Sequence, residues 1–219
     1  MVLKLLCRIS AKRLQIKMSK IVLASGNAGK LKEFLTPLSE LDMDILPQSD
    51  FNISDAEETG LTFVENAIIK ARHASFHTGL PAIADDSGIE VDALNGEPGI
   101  YSARYSGLGA SNQQNLKALL DALKDTPEPE RTARYQCVIV YLRHASDPTP
   151  IICQASWEGE ILLTPVGKGG FGYDSIFWVK ESNCSAAELT SHQKYTVSHR
   201  GKAIRQLLGH LQSQKIEHI

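Results

Sequence analysis

The stretch Ala82-Ile83-Ala84-Asp85-Asp86-Ser87-Gly88-Ile89 constrains this chain more than any other. Its apolar run reads as a buried strand, and Ser87-Gly88 as the turn that ends it. Two adjacent carboxylates then sit at a strand end, where their mutual repulsion needs a compensating charge. A hard divalent cation such as Mg2+ supplies one, because that ion takes oxygen ligands from one or two carboxylates plus substrate phosphates. The alternative, from these residues alone, is a solvated turn rich in Asp and Gly. Adjacent strand residues face opposite ways, so Asp85 and Asp86 should differ in role.

A second apolar strand, Ile21-Val22-Leu23-Ala24, runs into Ser25-Gly26-Asn27-Ala28-Gly29-Lys30. Leu31, Phe34, Leu35, Leu38 and Leu41 then recur at helical spacing. Strand, glycine-rich turn and helix in that order offer an anion site of backbone N–H groups and a helix N-terminus, to which Lys30 adds charge. It is not a Walker A loop, because Leu31 stands where that motif needs Ser or Thr. A tight turn carrying a solvated Lys is the alternative.

Further along, Asp44 to Phe51 reads as a short strand and loop, and Asp55 to Gly60 as an acidic loop. Thr62-x-x-Glu65 is a capping box that opens a helix to about His77, with Phe63, Ala67, Ala71 and Ala74 on its buried stripe. His73 and His77 are spaced for a metal but lack the H-E-x-x-H pattern, so they read as surface histidines. Ile89, Val91 and Ala93 alternate with acids as a half-exposed strand; Tyr101 to Ser106 reads as an ordered loop near the site, with a plain connector as the alternative. Ser111 caps a further helix. Tyr135 to Leu142 and Ile151 to Trp157 read as an antiparallel hairpin. The glycines around Phe171 suggest a loop approaching a ligand, with an exposed aromatic face for stacking. Ser185-x-x-Glu188 reads as the start of a short helical segment. Lys194, His199 and Arg200 supply donors just before an amphipathic last helix, a cluster that on its own reads as a solvated helix entry. The mix argues an α/β fold, of mixed α+β character, with a long mixed central sheet and two lobes.

The 219 residues suit one large domain or two small lobes, and a net charge of -2 gives no basic bias towards nucleic acid. Cys7, Cys137, Cys153 and Cys184 form no CxxC pair, which argues free thiols. No apolar run reaches the length of a membrane span. Residues 1–17 are basic and acid-free; they read as an N-terminal extension without chemistry before a natural start at Met18, with an organelle transit peptide as the alternative.

SGNAGK, EETGLTFVENA, PAIADDSG, GKGGFGYD and KYTVSHRGKA occur here in one order. On these stretches the chain resembles the inosine-triphosphate pyrophosphatase-like family in its bacterial dITP/XTP branch, over about Ser19 to Leu211. The resemblance implies one domain over 18–219 with an elongated two-lobed fold and a cleft between the lobes. It implies Mg2+-dependent hydrolysis of ITP, dITP and XTP to monophosphate and pyrophosphate by a cytoplasmic homodimer. Residue by residue, it makes Asp86 the catalytic acid-base and a metal ligand, and Glu58 the second metal carboxylate. It makes Ser25, Gly26, Asn27, Ala28, Gly29 and Lys30 the triphosphate loop, with Lys70 a further phosphate contact. It makes Ser87, Phe171, Gly172, Tyr173, Asp174, Lys194, His199 and Arg200 substrate-binding, and leaves Asp85 in support. Ser25 stands where the family often has Thr, and Ser175 where Pro is usual. A septum-inhibitor-type nucleotide pyrophosphatase and a non-catalytic nucleotide-binding module are the rivals. The FGYD and SHR stretches disfavour the first, and the two filled carboxylate positions the second.

Overall fold

The computed structural model describes residues 19–39 and 43–216. The expectations for residues 1–17 and for Leu41 lie outside them. Seven strands form one mixed sheet in the order β2-β1-β3-β4-β5-β6-β7. They are β1 (Ser19–Ala24), β2 (Met43–Pro47), β3 (Ala82–Val91), β4 (Thr132–Leu142), β5 (Ile151–Ile161), β6 (Phe177–Val179) and β7 (Cys184–Ser185). β1 runs parallel to both β2 and β3, and every later pairing is antiparallel. The helices are α1 (Ala28–Leu38), α2 (Phe63–Thr78), α3 (Asn112–Ala122), α4 (Ser191–Val197) and α5 (His199–Ile216).

Side-chain alternation along β3 divides the core between the two sheet faces. Ile83 joins Ile21, Leu23, Phe34, Leu38 and the α5 residues Ile204 and Leu207 on one face. Ala82 and Ala84 join Val22 and the alanines of α2 on the other. Small residues at positions 67, 71 and 74 let α2 lie close to the sheet. A third cluster, from Ile89 and Val91 through Trp157 and Phe177, packs against Leu119 and Leu123 of α3. The long strands therefore carry a second apolar centre at their far end.

Most expected elements are present, with four corrections. Ser87-Gly88 is not a turn: β3 continues to Val91 and absorbs most of the half-exposed strand expected after it, while Ala93 falls in the 3-10 turn Asp92–Leu94. Its ten residues pair in unbroken register with β4, and that pairing overrides the local turn signal. Gly88 is there for close approach, since a Cβ at that position would lie 2.2 Å from the Gly99 carbonyl oxygen. Ser185-x-x-Glu188 opens no helix; Ser185 ends β7, its N–H bonds the Glu188 carboxylate, and the next helix starts only after the Thr190 cap. In α1 the buried residues are Phe34, Pro37 and Leu38, whereas Leu35 is exposed. His77 is exposed as expected, but His73 is half-buried and its Nε2 lies 2.8 Å from the Ser54 carbonyl.

Candidate active site

β1 stops at Ala24, opposite Ala84, while β3 runs on. Asp85, Asp86 and Ser87 therefore have an open edge just beyond the carboxyl end of a parallel strand. Ligands of α/β sheets characteristically bind in such crevices. Around this edge the fold gathers the turn before α1, the loop before α2, the 3-10 turn Gly99–Arg104, the loop 171–174 and the start of α5.

The two carboxylates do face opposite ways. Asp86 shares the face of Ala82 and Ala84 and meets α2, where Lys70 Nζ donates to its Oδ1 at 2.7 Å. The same Nζ donates to Glu58 Oε1 at 3.0 Å. Arg104 Nη1 holds the other Glu58 oxygen at 2.7 Å. Asp86 Oδ2 is buried without a partner among the described residues. Burial pushes the Asp86 pKa up, and the Lys70 ammonium only partly offsets it. Burial acts upward on Glu58 too, but Lys70 and Arg104 hold its carboxyl below the ordinary value.

Asp85 faces α1 and α5. Lys30 Nζ lies 3.0 Å from its Oδ2, and Arg200 Nη2 lies 3.3 Å from the same atom. Burial opposes ionisation here, yet these two cations win and hold Asp85 well below the usual carboxylate range. Ser87 donates to Asp85 at 3.1 Å and accepts from Arg200 at 2.7 Å. Two neighbouring carboxylates thus have their proton affinities pushed apart, the pattern of an acid-base residue beside a structural anion.

The expected phosphate loop is largely self-satisfied. Asn27 Oδ1 accepts from the N–H groups of Gly29 (2.9 Å) and Lys30 (3.1 Å), and Ser25 Oγ accepts from the Asn27 N–H. Gly26 and Ala28 keep their N–H groups free of partners among the described residues. Asn27 therefore acts as the N-cap of α1.

Phe171 is not the freely exposed aromatic expected from its glycines. Its ring lies over Gly29, with Lys194 Nζ 4.9 Å and the Arg200 guanidinium 5.8 Å from its centroid. The glycines let the loop curl round buried Asp174. Gly170, at φ +69°, leaves no room for a Cβ beside Asp174 Oδ2, which accepts the Phe171 N–H at 2.8 Å. Lys194 Nζ also bonds Asp174, at 2.6 Å. Gly172, Tyr173 and Asp174 line one pocket with Asn27, Lys30, Ser87, Lys194, His199 and Arg200. Glu58, Lys70 and Asp86 sit on the other face of β3.

His199 is buried, with its ring 4.6 Å from that of Tyr135 and 6.2 Å from that of Trp157. Burial, helped by the charges of Arg200 and Lys194, holds its pKa well below the ordinary value. The unfolded chain takes up a proton near pH 6.5, whereas folded His199 resists it. Folding stability should therefore fall as pH drops below about 6.5, by up to about 1.4 kcal/mol per pH unit from this group. Urea unfolding from pH 7.5 to 5 checks this: His199→Gln should flatten the slope, and an identical slope in the variant refutes it.

Two residues that sequence reasoning did not single out belong to this site. Glu33 bridges Lys194, at 2.9 Å, and Arg200. Its only sequence signal was a position three residues past Lys30 in the helix. Arg104 lies in the loop read as ordered and near the site, but nothing in the sequence pointed it at Glu58. Among the described residues no three His, Cys, Asp or Glu cluster as a metal cage. The carboxylates that could take a hard cation are Asp86, whose Oδ2 has no partner among the described residues, and Glu58, whose two oxygens are held by Lys70 and Arg104.

The Ham1 family pattern matches residues 21–210. The dITP/XTP pyrophosphatase of Shigella flexneri is 59% identical over 196 residues, covering 90% of this chain and 100% of that protein. That of Vibrio cholerae is 58% identical over 198 residues, covering 90% of this chain and 99% of that protein. Among solved structures, a HAM1 protein from Coxiella burnetii superposes with a TM-score of 0.83 at 48% identity, covering 90% of this chain and all of that one. With the sheet, the pocket and these matches in agreement, the chain belongs to the Ham1 family.

Proposed function

We propose that this chain hydrolyses the non-standard purine nucleoside triphosphates ITP, dITP and XTP to monophosphate and pyrophosphate, keeping them out of DNA and RNA. The observation that carries this reading is the divided carboxylate pair: Asp86 is buried with an unpartnered oxygen and a raised pKa, while Asp85 is neutralised by Lys30 and Arg200. The relatives named for dITP and XTP support the choice of substrate.

In this reading Asp86 takes a proton from water, whose oxygen attacks the α-phosphorus. The bond from that phosphorus to the bridging oxygen breaks, and pyrophosphate leaves with the electron pair. Raising the Asp86 pKa towards the working pH improves it as a base. Lys70 and Lys30, with residues 25–29, bind the triphosphate. Lys194, His199, Arg200 and the segment 171–174 bind the purine, with Ser87 between the two groups. Asp86 and Glu58 would hold Mg2+, which neutralises triphosphate charge when bound. The reading includes a cytoplasmic homodimer acting without nucleic acid or membrane; among the described residues no helix is long and apolar enough to cross one.

Chromatography of an ITP digest in 18O-labelled water tests the chemistry. Pyrophosphate plus labelled IMP is expected. Orthophosphate plus IDP as first products, or label in pyrophosphate, contradicts attack at the α-phosphorus.

A further inference from the structure

The 3-10 turn Gly99–Arg104 is clamped from three sides. Ser102 Oγ accepts the Ile89 N–H of β3 at 2.8 Å, and the Ser102 carbonyl accepts the Tyr173 hydroxyl at 2.8 Å. Asn115 of α3 donates to the Ala103 carbonyl at 3.0 Å. The absence of a side chain at Gly88 lets the turn sit against β3. This platform ends at Arg104, whose guanidinium reaches Glu58 across 46 residues of sequence.

Two cations thus share one carboxylate: Lys70 on Oε1 and Arg104 on Oε2, with Lys70 also on Asp86. Arg104 uses only Nη1, and its other N–H groups have no hydrogen-bond partner among the described residues. It is about one-quarter exposed, and its guanidinium lies 5.3 Å from the centroid of the Tyr101 ring. A guanidinium in that state can hold a phosphate in a fork while its carboxylate partner turns to a metal.

We infer that Arg104 is a further phosphate-binding residue of this site, poised on Glu58 in the free protein and turning to the departing pyrophosphate unit of a nucleoside triphosphate. The inference rests on the pyrophosphohydrolase reading above. Arg104 and Lys70 balance the two carboxylates until phosphate arrives, and then supply positive charge where the leaving group gathers negative charge.

Calorimetric titration with pyrophosphate, and separately with IMP, tests this at fixed Mg2+ on the full chain and on Arg104→Gln and Arg104→Lys. Arg104→Gln should weaken pyrophosphate binding about ten- to a hundredfold, the size of one charge-assisted hydrogen bond lost. IMP binding should be unchanged, and Arg104→Lys should recover part of the loss. Equal pyrophosphate affinity in the unaltered protein and Arg104→Gln overturns the assignment and leaves the hydrolase reading intact. Equal losses for pyrophosphate and IMP also overturn it, because they mark a general disturbance of the site. An unaltered protein that binds no pyrophosphate and releases none from ITP overturns both readings.

Discussion

Asp86→Asn should lower ITP turnover by about 10²–10⁴-fold, the usual cost of losing a positioned acid-base group, while the protein stays folded. Burial already disfavours the Asp86 anion, so a neutral residue of the same shape costs the fold little. Lys70 keeps Glu58 as its partner, so no cation is stranded. Steady-state kinetics with ITP, alongside circular dichroism and urea unfolding, checks both halves. Near-normal turnover by a folded variant would remove Asp86 from the chemistry. Asp85→Asn should behave in the opposite way. It removes the anion between Lys30 and Arg200, so its main effect should be on stability.

Arg200→Ala should destabilise the fold strongly. Arg200 is almost fully buried between Glu33, Asp85 and Ser87. Its removal leaves two carboxylates inside the protein with less compensation, and breaking a buried pair from one side costs about 3–5 kcal/mol. Urea midpoints with an unchanged slope would measure it; a loss below about 1 kcal/mol would place the residue among weak surface pairs. The substitution also tests base selection. ITP carries a keto oxygen where ATP has an amino group, and a donor aimed there rejects the analogue by up to roughly 10⁴–10⁵-fold. Arg200→Ala should shrink the ITP-to-ATP ratio of kcat/KM. Both substrates meet the same folded fraction, so partial unfolding cancels in the ratio. An unchanged ratio would move base recognition away from Arg200.

What the sequence disclosed was what local chemistry dictates. The apolar runs marked β1 and β3, the Thr62 and Ser111 caps marked α2 and α3, and the Asp147-Pro148 region marked the β4–β5 hairpin. Local chemistry also misled. Ser87-Gly88 carries a turn signal, but ten paired residues on β4 outweigh it. The glycines near Phe171 suggested an open loop, whereas that loop winds round the Asp174 carboxylate. Glu33 and Arg104 were not picked out because their partners lie 167 and 46 residues away, and no spacing rule spans such distances. The resemblance, by contrast, singled out Lys70, Asp86, Lys194 and Arg200 for the site. The fold sets Lys70 and Asp86 into one ion-pair network on one face of β3, and Lys194 and Arg200, joined through Glu33, into a second on the opposite face.

Selective hydrolysis of non-standard purine triphosphates is tested most directly by a pyrophosphate-release assay. Seven substrates suffice: ITP, dITP, XTP and the four ordinary ribonucleoside triphosphates, each with Mg2+. The highest kcat/KM is expected for ITP, dITP and XTP, with ATP far below them. Comparable pyrophosphate release from ATP, or none from ITP, dITP and XTP, would contradict that selectivity.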